Sequence, residues 1–234
     1  MRRDAGVTLM EVLIAVTLLS LLTVGMLFAM RIGLSAFAKT EQKLMENRRV
    51  AGAQRLLEQE LQGMIPVIAP CGEAGLKFGF FQGTDQVMRL VSSFSLQQAW
   101  RGQPQILELF LIPGEEGRGV RLVVNETLYT GPASAGRMCT GPSGAAMNFA
   151  AVVAGPASFV LADKLAYCRF SYLGPGERPI DSGVWRPVWD RKGWPFAIRV
   201  EMAPLDPNPS RLQPISVTAP IYMHRSPDLK YADQ

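Results

Sequence analysis

Hydrophobic and polar positions divide the chain into three patterns. From Leu9 to Met30 it is apolar or small-polar for 22 residues, with Glu11 the only one that ionises. A helix of that length covers roughly 33 Å, enough to cross a bilayer core of about 30 Å. The pattern then becomes amphipathic. Between residues 37 and 65, Phe37, Leu44, Met45, Ala53, Leu56, Leu57, Leu61 and Met64 are interleaved with Glu41, Lys43, Glu46, Arg48, Arg49, Arg55, Glu58 and Glu60. Such a stripe belongs to a helix laid on a domain. Gly63 followed by Pro66 predicts its stop, so one helix is expected over residues 7–65.

Beyond residue 66 the period shortens. The runs "LKFGFF", "QVMRLVSS", "QILELFLI", "GVRLVV", "SFVLAD", "KLAYCRFSYL", "FAIRVEMA" and "ISVTAPIYM" read as strands. Turns are supplied by "QGTD", "PGEEGRG", "GPGERP" and "LDPNPS". Strands without intervening helices predict antiparallel sheets, two of them, one packed on the long helix. The segment "TGPASAGRMCTGPSGAA" reads as a long surface loop. The expected fold class is therefore α+β, a long N-terminal helix packed on a β-rich antiparallel head.

Composition changes this picture little. At 234 residues the chain suits one globular domain plus a long helix. Its net charge of +4 comes from scattered basic residues, and no nucleic-acid partner is expected. His224 is the only histidine, and the sequence contains no G-x-S-x-G, H-E-x-x-H or P-loop. Glu115, Glu116, Asp181, Asp190, Asp206 and Asp228 are dispersed, without the spacing of a calcium loop. No enzymatic activity, cofactor or metal is expected. Trp185, Trp189 and Trp194 beside Pro195 read as a packed turn, with a sugar-binding platform as the alternative.

The three cysteines allow one disulfide in an oxidising compartment. All three pairings are open. Cys71–Cys139 is favoured because both lie in Pro/Gly-rich stretches, leaving Cys168 as a buried thiol in a strand; all three reduced is the alternative.

Glu11 is the feature that composition does not explain. A carboxylate at the centre of a membrane helix costs on the order of 2.5–3.5 kcal/mol, and less near the end, where Glu11 lies, though Glu is too short to snorkel far. Glu11 either sits at the headgroup level or has a cationic partner from outside the span. The basic "MRRD" before an apolar run suits a secretory signal, but the run is too long and no A-x-A-like site follows it. A retained membrane helix is expected instead. The segment Gly6-Val7-Thr8-Leu9-Met10-Glu11, behind a short basic leader, resembles the prepilin motif of type IV pilins and type II secretion pseudopilins. In that motif Gly precedes the cut and Glu stands fifth after it; Val7 stands where the family most often has Phe.

The resemblance implies a leader at residues 1–6, a transmembrane and filament-core segment at 7–38, an amphipathic half-helix at 39–65 and a periplasmic head at 66–234. It implies cleavage between Gly6 and Val7 and N-methylation of Val7 by a prepilin peptidase. It also implies docking of Glu11 against the N-terminal amine of a neighbouring subunit. Chain length and the stretch "GVWRPVWDRKGWPFAIRVEM" resemble J-type minor pseudopilins. That implies a structural subunit of the bacterial inner membrane, its N-terminus cytoplasmic and its head periplasmic, incorporated in a pseudopilus. The implied partners are sibling minor pseudopilins of the I, K and H types and the major pseudopilin. The alternative is a PilW-like minor pilin of a type IV pilus or DNA-uptake machine, acting in tip binding or adhesion.

Overall fold

The computed structural model describes residues 8–72, 76–96, 100–144, 146–176, 183–205 and 214–223. Helix α1 (Leu9–Gln62) opens the chain. Thr8 caps it: the Glu11 N–H donates to the Thr8 carbonyl at 3.0 Å and to its hydroxyl oxygen at 3.4 Å. The helix stops at Gln62, short of the expected Ile65. Gly63 still bonds back to the Gln59 carbonyl at 2.8 Å, but Met64 and Ile65 leave as a strand registered against Ser92 and Val91. Strand pairing satisfies backbone groups there that Pro66, lacking an N–H, would deny a further helical turn.

The chain forms two compact units, one ending at Arg48 and one beginning at Arg49. In the first, the large apolar side chains of Leu9–Phe37 are 50 to 81% exposed.

The second unit holds the end of α1 and the strands. In chain order these are β1 (Met64–Ile65), β2 (Ile68–Cys71), β3 (Leu76–Gly79), β4 (Gln82–Gly83), β5 (Val87–Ser95), β6 (Trp100–Pro113) and β7 (Val120–Leu128). A short helix α2 (Pro132–Gly136) precedes β8 (Cys139–Ser143) and β9 (Ala146–Phe149). Then come β10 (Phe159–Gly174), β11 (Val184–Arg186), β12 (Ala197–Pro204) and β13 (Ile215–Pro220). Among the described residues, the main antiparallel sheet runs β1-β5-β6-β7-β10-β12-β13, with β4 added to β5 and β11 to β10. Two small hairpins, β2–β3 and β8–β9, lie apart from it.

One face of this sheet packs on α1. Ala53, Leu57 and Leu61, one turn apart, meet Met88 and Leu90 of β5, Leu107 and Leu109 of β6, and Leu122 and Val124 of β7. The same core continues through Phe170, Tyr172, Ile198 and Val200. A fully buried leucine contributes about 1.5–3 kcal/mol, so Leu57 and Leu61 are the main hydrophobic anchors of α1 on this face. The period-2 alternation sends Val91 and Ile106 to the opposite face. There Val67, Ala69, Cys71, Phe80, Ala135 and Met147 cover them as a second core.

That second core corrects the expected surface loop. "TGPASAGRMCTGPSGAA" contains α2, β8 and the start of β9, and Ser134 and Ala135 are buried. Ser134, Ala135 and Gly136 serve close packing, while Pro132, Ala133, Thr140 and Pro142 to Gly144 are exposed as expected. A Cβ at Gly136 would fall 2.5 Å from the Pro70 carbonyl oxygen. A second difference is that "SFVLAD" and "KLAYCRFSYL" form the single strand β10. Its register shifts around Leu165, and Lys164 takes a φ of 53°.

Candidate functional site

The N-terminal site lies at the start of α1. Gly6 and Val7 lie outside the described residues. Glu11 sits in the first turn of α1 with its side chain exposed. Thr8 as cap and Glu11 three residues on have the spacing of a capping box, and a carboxylate in the first turn faces the positive end of the helix dipole. Sequence reasoning missed this local role, although T-x-x-E was legible. The hydroxyl-bearing residues within the apolar stretch are satisfied by the helix itself. The hydroxyls of Thr17, Ser20 and Thr23 donate to the carbonyls of Ile14, Val16 and Leu19. By length and composition, Leu9–Phe37 can cross a membrane.

A family model for the prokaryotic N-terminal methylation motif matches residues 1–27. This is a type IV pilin-like N-terminus. No curated protein matches the chain.

The head behind this pilin-like helix gathers its polar groups into structural networks. Arg89 is 2% exposed; its Nε donates to Glu108 at 2.6 Å, Nη1 to Gln82 at 2.5 Å and Nη2 to the Ala150 carbonyl at 2.5 Å. Its guanidinium also lies 5.1 Å from the Phe149 ring centroid. The cation thus ties β5 and β6 to the covering β9 region, a role the residue pattern did not announce. Arg121 pairs with Glu115 and, at 2.8 Å, with Asp163. The Arg121 hydrogen bond holds the Asp163 carboxyl below the usual carboxylate range, against partial burial.

Glu60, one of the charged residues interleaved with the apolar stripe, is fully buried on the face that meets the sheet. It falls between Leu57 and Leu61, where the heptad-like stripe broadens to include it. Neither carboxyl oxygen has a hydrogen-bond partner among the described residues. Burial pushes its pKa up to about 8; the Ser92 hydroxyl alongside lowers it in part and the charge of Glu126 raises it.

The tryptophans separate. Trp189 and Trp194 are buried in the main core, as a packed turn requires, whereas Trp185 lies half-buried beneath Arg199. Trp189 donates its indole N–H to the Gly193 carbonyl at 3.0 Å. Its ring occupies the space a Cβ on Gly174 would need, 2.6 Å away. Cys71 and Cys139 are joined by a disulfide, Cα to Cα 5.6 Å, which fastens β2 to β8. Both lie in strands rather than in the loops expected for them. Cys168 is a buried free thiol pushed up to about 12 by burial, which removes it as a nucleophile at neutral pH. His224, Asp181, Asp206 and Asp228 lie outside the described residues, and among those described no three His, Cys, Asp or Glu side chains converge.

Proposed function

We propose that the chain is a structural assembly subunit, a minor pseudopilin of a type II secretion system similar to the J type. The observation that carries this reading is the methylation-motif N-terminus joined to 29 residues of apolar helix with exposed side chains. An apolar surface of that length needs lipid before assembly and neighbouring helices after it.

In this reading a prepilin peptidase cuts between Gly6 and Val7 and methylates the new Val7 amine. Glu11, the only ionisable residue from Leu9 to Met30, then pairs with the α-amine of an adjacent subunit. Pairing removes the cost of an isolated carboxylate in an apolar surround and favours one axial stagger between helices. The head would contact sibling minor pseudopilins of the I, K and H types and the major pseudopilin, with its base at the inner membrane and its bulk in the periplasm. No chemistry is assigned to it; it acts by binding.

The test is intact mass of the membrane-extracted protein from cells with and without prepilin peptidase. A chain beginning at methylated Val7 only when the peptidase is present is the expected result. An uncut chain in both, or a cut after the apolar run, would overturn the reading. Deletion is expected to stop protein secretion while leaving surface pili intact. The reverse phenotype would assign the chain to the minor pilins of a type IV pilus.

A further inference from the structure

The main sheet opens along one edge of β10. Strand β7 parts from β10 after Val120 and Leu165, and β11 joins the same edge only at Tyr172. Along the intervening residues 166–171 a groove of about 820 Å³ runs over the outer face, the part the small hairpins leave uncovered. Arg169 and Ser171 of β10, Trp185 and Arg186 of β11, and Arg199 of β12 line it.

Its guanidiniums are held but not neutralised. Among the described residues, ion pairs engage Arg89 and Arg121 and none of these three. The Arg199 guanidinium lies 3.9 Å from the Trp185 ring centroid, and that of Arg169 lies 5.4 Å from Tyr167. Stacking fixes the plane of a guanidinium while leaving its N–H edges directed outward, the arrangement that suits a carboxylate. Arg199 makes one long bond, Nε to the Thr218 hydroxyl at 3.4 Å. Arg186 donates to the Pro175 and Val184 carbonyls, which do not cancel its charge. Two carboxylates share the groove, Asp85 and Glu201. Glu201 stands opposite Arg169 in the ladder without closing an ion pair, so three cations face two anions.

We propose that this groove docks an extended, carboxylate-bearing polypeptide segment. The spacing fits such an occupant. Arg169 and Arg199 are diagonal neighbours across β10 and β12, a separation of about 7–8 Å. Side chains two apart on an extended peptide, which share one face, repeat every 6.4–6.8 Å or so. Acidic residues at alternate positions therefore meet both guanidiniums in one register, each as a fork against a carboxylate. The stretch 166–171 spans about 20 Å, more than a small anion fills. Its edge is engaged at Phe170, whose N–H donates to the Asp85 carbonyl at 3.0 Å, so the occupant lies over the outer face rather than extending the ladder. This proposal does not rest on the assembly reading above.

The test uses the full-length chain in detergent micelles at low ionic strength and a fluorescein-labelled hexapeptide of alternating Glu and Val. The expected result is binding at least tenfold tighter than that of the Gln–Val counterpart. Arg169→Gln and Arg199→Lys should each weaken it several-fold, the second because it keeps the charge and loses the fork. Arg169 is exposed, so its variant keeps the experiment decisive if Arg199→Lys fails to fold. Equal affinity for the Glu and Gln peptides overturns the proposal, as does binding unchanged by both substitutions. Citrate binding as tightly as the peptide also overturns it, reducing the groove to a small-anion site.

Discussion

Replacing Glu60 with Gln should make the head more stable at neutral and alkaline pH and flatten its response to pH. The carboxyl is fully buried with neither oxygen bonded, and burial raises it from 4.5 to about 8. The folded state therefore holds this proton more tightly than the unfolded chain does. The associated stability is complete below about pH 4.5, is lost progressively as pH rises, and is gone by about pH 8. Over that window the loss is roughly 4–5 kcal/mol, a large share of the 5–15 kcal/mol that holds a typical domain. Gln keeps the shape without the charge but leaves a buried amide at a cost of about 1–3 kcal/mol. The variant should thus exceed the wild type by roughly 2–3 kcal/mol at pH 8 and fall level with it or below at pH 5. Urea unfolding of the detergent-solubilised full chain, followed by emission from the buried Trp189 and Trp194, measures both. A wild-type midpoint that stays constant from pH 5 to 8 would refute the reasoning. So would a Gln variant whose midpoint falls in parallel with the wild type.

Other outcomes follow from the same contacts. Glu11→Ala should be cut and methylated like the wild type yet fail to co-isolate with the assembly; normal incorporation, read by cross-linking and intact mass, would remove the docking role. Arg89→Met should cost about 3–5 kcal/mol in urea unfolding, because Glu108 and the Ala150 carbonyl lose a buried cation. Gly83→Ala would place a Cβ 2.6 Å from the Tyr172 ring, whose hydroxyl is bonded to Thr84, and should destabilise by about 1–3 kcal/mol by the same assay. Cys168 should resist a maleimide reagent in the folded chain and react only in denaturant; rapid labelling under native conditions would contradict its burial.

The anchor and the sheet were legible for different reasons. Leu9–Met30 is unambiguous because a bilayer-length apolar run has few alternatives. The long strands β5, β6, β7, β10, β12 and β13 announced themselves by alternation and turn residues. What escaped was tertiary. Glu60 looks like any charge on an amphipathic helix, and its burial follows only from how far the sheet wraps around the stripe. The residues 130–146 look like a linker because glycine, alanine and serine serve equally for flexible chain and for tight packing against Pro70. Met64 and Ile65 fit helix or strand by period, and only their pairing with β5 decides. Arg89 hides for the opposite reason: an arginine inside a strand is usually exposed, and its partners lie 7 to 61 residues away.

The junction at Gly63 has a mechanical meaning. A load arriving along the last turns of α1 passes through one glycine into a strand of two residues, registered on Ser92 and Val91 and steadied by the Ser93 N–H on the Gly63 carbonyl. So few backbone bonds make a weak rivet. Resistance to pulling rests instead on the buried apolar contacts of Leu57 and Leu61 on the helix and Met64 just past it. Because those leucines share one core with β5, β6 and β7, a tug on α1 is carried to the sheet by side-chain packing and hardly at all by backbone bonds.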